Sequence, residues 1–267
     1  MIPNIGFSLQ SQYDRPIKEV IALLKEAGFS AVSPTWSNEA DLAHIAGCGL
    51  PIQSLHAPPK GISALWKAES CPLLETMLAC VDACARFQIP TLVIHGWQGH
   101  DYTFREEDLP YDQFDRIVSY AREKEIHIAF ENLEGEEYLN VLMRRYPDVG
   151  FCWDTGHDRC YPHQLDFLKE FGHRLIMTHL NDNLGRRAPT PASTDDLHYL
   201  PGDGSANWQQ ILLQLKNAAR QDTLNFEIKI APRCPADDLY SRLRLEDFIA
   251  LAAQRAQEIA KMYSEGF

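Results

Sequence analysis

Six stretches of this 267-residue sequence that pattern as β-strands finish on an imidazole or a carboxylate. They are His56 in IQSLHA (52–57), His95 in TLVIHGW (91–97), Glu131 beside Asn132 in HIAFENL (127–133), Asp154 in VGFCWDT (149–155), His179 in LIMTHLND (175–182) and Glu227 in TLNFEIK (223–229). His157 follows Asp154 by three residues, Asp182 closes the seventh stretch, and Asp196 and His198 stand in the connection after it. One such residue is ordinarily a hydrogen-bonded or solvated group. Several carboxylates brought together repel and raise one another's pKa unless a cation neutralises them. Carboxylates mixed with imidazoles, without thiolates, suit Zn²⁺, Mn²⁺, Fe²⁺ or Co²⁺ better than Ca²⁺.

The least ambiguous ligands are Glu131, Asp154, His179 and Glu227, one from each of four consecutive strands. His56, His95, His157, Asp196 and His198 are additional candidates, so one ion is expected and ligands exist for up to three. Glu131 and Glu227 could flank a bound substrate and act as its acid/base pair. That suits removal of a proton next to a carbonyl and its return to the same or a neighbouring carbon, through an enediolate stabilised by the metal. Spacing alone does not separate this chemistry from metal-assisted hydrolysis. Trp36 and Trp97, at the ends of strands, could stack on a sugar or pack the barrel rim. Trp153 adjoins Asp154 and so points to the opposite face. Arg186 and Arg187 could hold a phosphate or carboxylate, or be solvated. Lys229 follows Glu227 by two residues and faces the same side. His56, His95, His157, Trp97 and Arg186 are the candidate substrate contacts.

The elements that must position these residues alternate along the chain. Two more strands, IGFSL (5–9) and AVSPTW (31–36), bring the count to eight. Amphipathic helical patterns fit 15–28, 38–47, 68–87, 111–124, 136–145, 163–171, 205–220 and 245–263. Eight βα repeats without a Gly/Ser/Pro-rich linker predict a single (β/α)8 TIM barrel domain over 1–267, with its site at the C-terminal ends of the strands. A doubly wound sheet is the runner-up, but the first strand-to-helix turn carries no glycine-rich phosphate loop. The longest connection, 183–204, reads as a loop or lid over the site.

Composition agrees. Hydrophobic residues make up 45% and charged residues 23%, which argues against disorder. The net charge of −12 disfavours nonspecific nucleic-acid binding. No apolar run approaches the roughly 18–20 residues of a membrane span. The N-terminal MIPNIGFSLQ lacks a signal-peptide pattern. Seven cysteines without a CxxC pair read as apolar fillers of a reduced, cytoplasmic protein.

The ordered segments HAP (56–58), FEN (130–132), WDTGHD (153–158), THLND (178–182), DLHYLPGDG (196–204) and FEI (226–228) resemble the xylose-isomerase-like barrel superfamily. It holds sugar-phosphate isomerases and epimerases as well as endonuclease IV. The resemblance spans strands three to eight. In the ketose 3-epimerases and inosose isomerases it implies Glu131, Asp154, His179 and Glu227 as ligands of one metal. It also implies the two glutamates as acid/base pair and His157 as a substrate contact. The three-zinc set of endonuclease IV is matched as well, by those four residues with His56, His95, His157, Asp196 and His198. Departures fall where the DNA-repair enzymes handle DNA. Pro59 stands where they carry tyrosine, LEGEE with Glu134, Glu136 and Glu137 replaces a glycine-rich segment, and a lysine after HLND is absent.

The expected function is therefore a divalent-metal-dependent sugar or sugar-phosphate isomerase/epimerase, with nucleic acid and membrane disfavoured as partners. An endonuclease-IV-like multi-zinc phosphodiesterase, a polyol or hydroxy-acid dehydratase and a metal-stabilised binding protein are the alternatives. The resemblance also allows a homo-oligomer.

Overall fold

A computed structural model describes residues 1–10, 13–67, 71–99, 102–189, 191–231 and 235–265. Its elements alternate as β1 (Asn4–Ser8), α1 (Ile17–Ala27), β2 (Ala31–Ser33), α2 (Glu39–Ala46), β3 (Ser54–His56), α3 (Pro72–Arg86), β4 (Thr91–His95) and α4 (Asp112–Glu123). The chain continues through β5 (His127–Glu131), α5 (Glu136–Arg145), β6 (Gly150–Asp154), α6 (Thr155–Cys160), α7 (Phe167–Phe171), β7 (Leu175–His179), α8 (Trp208–Lys216), β8 (Thr223–Phe226) and α9 (Leu245–Glu265). Every strand pairing is parallel, in the orders β2-β1-β8 and β3-β4-β5-β6-β7. Parallel bridges Val32–Ile52 and Thr35–His56 join β2 to β3, and Leu180–Phe226 joins the ends of β7 and β8. The strands thus close into a (β/α)8 TIM barrel.

Strand alternation explains both the core and the site. Facing the helices, Leu92, Ile94, Ile128, Phe130, Phe151, Trp153, Leu224 and Phe226 are buried in one large apolar cluster. Facing the axis, Val93, Ala129, Cys152 and Met177 form a separate buried plug. Two residues further along the same four strands stand His95, Glu131, Asp154 and His179. A period of two sets the site directly above the plug. On the other half of the barrel the interior is polar. Asn225 Nδ2 donates to Ser8 Oγ at 2.8 Å, Ser33 Oγ to Asn225 Oδ1 at 3.2 Å, and Ser54 Oγ to Ser33 Oγ at 3.0 Å.

Several elements are shorter than their patterns predict. The second strand stops at Ser33, before Pro34, which has no N–H for a ladder. The helix expected over 163–171 begins only at Phe167, where Asp166 accepts the N–H of Lys169 at 3.1 Å. The helix expected from 205 begins at Trp208, after Asn207 accepts the N–H of Gln210. Part of the helix expected over 68–87 lies outside the described residues, and the remainder starts at Pro72. The six-residue α6 was not expected. Cys48, Cys71, Cys80, Cys84, Cys152 and Cys160 are free thiols, and Cys234 lies outside the described residues. Among the described residues, no helix is long and apolar enough to cross a membrane.

Candidate metal centre

The strand-end residues meet at one point over the barrel axis, around Glu131. Its Oε1 lies 2.9 Å from His179 Nδ1 and 3.3 Å from His157 Nδ1. Its Oε2 lies 3.0 Å from His56 Nε2 and 3.1 Å from His95 Nε2. His179 Nδ1 also stands 3.0 Å from Glu227 Oε2, so the two glutamates share one imidazole. The other Glu227 oxygen lies 3.4 Å from Lys229 Nζ. Across the cluster, Asp196 lies 3.6 Å from His157 Nε2 and 3.2 Å from His198 Nε2. His198 takes a left-handed backbone, φ 51°, and its Nδ1 faces the Glu227 carbonyl at 2.9 Å.

Hydrogen bonds around these residues set their directions. Asp154 ends β6 and caps α6, accepting the N–H of His157 at 2.7 Å. Asn181 Nδ2 donates to both Asp154 oxygens, at 3.2 and 3.0 Å. Asn132 bonds the backbone of Asp154 in both directions, and its carbonyl faces His157 Nδ1 at 2.9 Å. Two motif glycines are required by close approach. A Cβ on Gly156 would fall 2.0 Å from Asn181 Oδ1, and one on Gly204 would fall 2.2 Å from Asp182 Oδ1. Asn181 and Cys152 are site-supporting residues that strand-end chemistry did not single out. The position of Asn181 within THLND was the available signal.

Burial and charge oppose each other here. Burial pushes Glu131, Asp196 and Glu227 upward, but the imidazoles around them, with Lys229 beside Glu227, hold all three well below the usual carboxylate range. Burial disfavours protonation of His157 and His179. Asp154 and Asp196 around His157, and Cys152, Glu131 and Glu227 around His179, nevertheless hold both well above the ordinary value. Asp154 is raised by burial and by Glu131 and Glu227. His95 is lowered by burial.

Three groups present ligand atoms that all lie within 4.8 Å of one another: Glu131, Asp154, His179 and Glu227; His56, Glu131 and His179; and His157, Asp196 and His198. Oxygen and imidazole donors packed this tightly, in a site whose carboxylates need compensating charge, fit a divalent cation.

The cluster forms the floor of a cavity of about 650 Å³. His56, His95, Glu131, His157, His179, His198, Glu227 and Lys229 line it, with Trp36, Leu133 and Tyr161 on its walls. Other expected residues stand elsewhere. Trp97 is outside this cavity, stacked on Tyr138 at 4.3 Å, with Nε1 donating to the Gly99 carbonyl. It passes the strand end and turns outward over α5. Arg186 is likewise outside, bonded to buried Asp195 at 2.7 Å, and Arg187 bridges Asp195 and Asp237. Glu134, Glu136 and Glu137, expected near the mouth, do not line the cavity. They accept from the Gly99 N–H, from the N–H groups of Gln164 and Leu165, and from the Tyr102 hydroxyl. Their carboxylates brace loops beside the site.

Asp182 is also structural, accepting from the N–H groups of Asn183, Gly202 and Ala206 and from Trp208 Nε1. Together with Asp195 it ties down the connection read as a loop or lid over the site. That connection supplies part of the cavity wall through His198 and brings Asp196 beside it.

An all-parallel eight-stranded barrel with a buried carboxylate–imidazole cluster at the C-terminal strand ends defines a class of α/β barrels built to present a site at that face. Residues 10–245 match the xylose isomerase-like TIM barrel family, and the chain belongs to it. It is 28% identical to the uncharacterized protein y4fM of Sinorhizobium fredii, over 91% of this chain and 93% of that one. Its fold is similar to that of the IolI protein solved with a bound zinc atom, with a TM-score of 0.74 and 15% identity over 98% of this chain and 99% of that one. It is also similar to 3-keto-D-glucoside 4-epimerase YcjR from E. coli, with a TM-score of 0.69 and 14% identity over 97% and 99% of the two chains.

Proposed function

We propose that this protein is a divalent-metal-dependent isomerase or epimerase of a sugar or sugar phosphate. The observation that carries the reading is the meeting of Glu131 and Glu227 at His179 Nδ1, at 2.9 and 3.0 Å, on the floor of a cavity of small-molecule size. The zinc in the IolI structure and the sugar epimerase among similar folds support it. Glu131, Asp154, His179 and Glu227 would hold the cation, with His56, His95, His157, Asp196 and His198 as candidates for further ions. A cation held there supplies Lewis acidity, polarising a substrate carbonyl and offsetting negative charge on its oxygens.

The chain's own residues do the rest. The Glu227 side chain is 20% exposed and Glu131 is sealed, so Glu227 meets the carbon-bound proton first. Lys229 and the imidazoles of His179 and His198 keep its carboxylate ionised and ready to accept. Glu131 is the second acid/base group. His157, fixed by Asp154 and the Asn132 carbonyl, orients substrate hydroxyls together with His56 and His95. Leu133, Tyr161 and Trp36 exclude water from the reacting carbon. The test is exchange of a carbon-bound proton with deuterated solvent across a panel of ketoses, polyols and their phosphates. Exchange that Glu227→Gln abolishes is expected, and no exchange with any member overturns the reading.

One observation favours a second reading. His157, Asp196 and His198 form a ligand group separate from the one around Glu227, as a multinuclear phosphodiesterase would need. About three zinc per chain together with nicking of abasic DNA would establish it.

A further inference from the structure

A second cavity, of about 510 Å³, adjoins the site cavity on the side of β1 and β2. The two share Leu9, Gln10, Thr35 and Trp36 as a common wall. The second is floored by Ile17, Pro34 and Ile45, and Tyr13, Arg15, Ser37, Asp41 and His44 complete it. It lies beyond the reach of the carboxylate–imidazole cluster, and proton transfer at Glu227 does not require it. We propose that it is a subsite for a second, uncharged ring of the substrate, stacked against Trp36 while the reacting sugar occupies the neighbouring site. This rests on the sugar reading above.

Three features of the wall support the proposal. Trp36 is half-buried, and it makes no ring contact among the described residues, unlike Trp97, whose face is covered by Tyr138. Its backbone is fixed by an N–H bond to the His56 carbonyl at 2.8 Å, which ties the shared wall directly to a site residue. Trp36 packs in part against the main core and lines both cavities with the remainder of its indole, a surface suited to a sugar or aryl ring.

Arg15 and Asp41 at the second cavity are already engaged, and the remaining polar side chains that line it with them include Ser37 and His44. Arg15 pairs with Glu246 at 2.6 Å. Asp41 accepts from Ser37 Oγ and Asn38 Nδ2, each at 2.7 Å. A phosphate or carboxylate would find no unengaged guanidinium there, whereas an uncharged ring needs none.

Gln10 supplies polar character where the cavities meet. Its N–H donates to the Tyr13 hydroxyl at 3.0 Å. Its side-chain amide nitrogen is buried and has no hydrogen-bond partner among the described residues.

The ring could be a second sugar or an aryl group, and calorimetric binding to the intact protein distinguishes them. The probes are D-glucose, D-fructose, cellobiose, lactulose and phenyl β-D-glucoside. Binding of a two-ring probe about tenfold tighter than its one-ring counterpart is expected. Preference for cellobiose and lactulose identifies a sugar ring, and preference for the phenyl glucoside alone identifies an aryl ring. Ser37→Trp, which fills the second cavity from its exposed rim, should bring the two-ring to one-ring affinity ratio close to one. Equal affinities in the native protein, a preference that Ser37→Trp leaves intact, or no binding of any probe overturns the proposal. Two-ring preference without proton exchange would keep the subsite and remove the isomerase reading instead.

Discussion

Asp154 accepts the backbone N–H of His157 at 2.7 Å, so one carboxylate both caps α6 and belongs to the candidate metal group. The cap forces α6 to begin directly at the strand end and turns the His157 ring back over Glu131, 3.3 Å away. Ligand geometry and local backbone geometry are therefore coupled through a single side chain.

This coupling makes two substitutions at Asp154 distinguishable. Asparagine caps a helix about as well as aspartate but carries no charge, whereas alanine does neither, at a cost of about 1 kcal/mol for the lost cap. Asp154→Asn keeps the cap but turns an amide NH2 toward Asn181 Nδ2, so without added metal it should melt below the parent and above Asp154→Ala, and bind at least tenfold less zinc at a fixed free concentration. Asp154→Ala should lose both. Thermal melts and metal analysis by mass spectrometry check this, and equal melting temperatures for the two variants would remove the capping role.

Metal stoichiometry reports on the outlying ligand group. Asp196→Asn removes the carboxylate between His157 and His198 without touching Glu131, Asp154, His179 or Glu227. If His157, Asp196 and His198 hold an ion of their own, the variant should contain about one metal equivalent fewer than the parent. An unchanged metal count would mean that the group serves only to orient His157.

Gly156 is a position at which a methyl group should disturb the candidate metal group. Its added Cβ would meet Asn181 Oδ1, in a buried amide that also bonds both oxygens of Asp154. Gly156→Ala should cost about 1–3 kcal/mol by overpacking and weaken metal binding with it. Gly150→Ala makes a useful contrast. Its Cβ would meet Cδ1 and Cγ1 of Ile176, an isoleucine 38% exposed that can give toward solvent, so the loss should be smaller. Chemical denaturation of both variants checks the order.

His163 sets a pH dependence away from the site. Its Nε2 faces Asp158 and its Nδ1 faces the Leu165 carbonyl at 2.9 Å, so both nitrogens are best satisfied when protonated. The hydrogen bond to Asp158 chiefly raises its pKa to about 9, above the ordinary 6.5. A histidine whose folded pKa is raised stabilises the fold fully below its unfolded pKa of about 6.5, and loses that contribution as pH rises through the folded value. The stability difference between the parent and His163→Gln should be largest at pH 6 and vanish by about pH 10. A difference independent of pH would show that His163 acts through packing alone.

Much of the site is legible in the chain because strand geometry is local. In V93-x-H95, A129-x-E131, C152-x-D154 and M177-x-H179, alternation alone aims a ligand-type residue to the side of the barrel that its small or apolar predecessor fills. Eight such strands separated by amphipathic helices leave few ways to bury their apolar faces, so the barrel and the placing of six ligand-type residues at its strand ends follow from the sequence. Alternation ceases to constrain a side chain once the strand ends. Trp36 and Trp97 occupy equivalent places in the sequence pattern, yet Trp36 lines the cavity and Trp97 turns out onto Tyr138. Glu134, Glu136 and Glu137 likewise found partners on distant loops, which only the packed barrel brings near, and Arg186 turned to Asp195 within its own loop. The tertiary structure also decided that two cavities share the Trp36 wall, because that wall forms only where the β1 and β2 loops pack side by side. Local periodicity determined which residues face the axis; long-range loop packing determined which of their neighbours face the cavity.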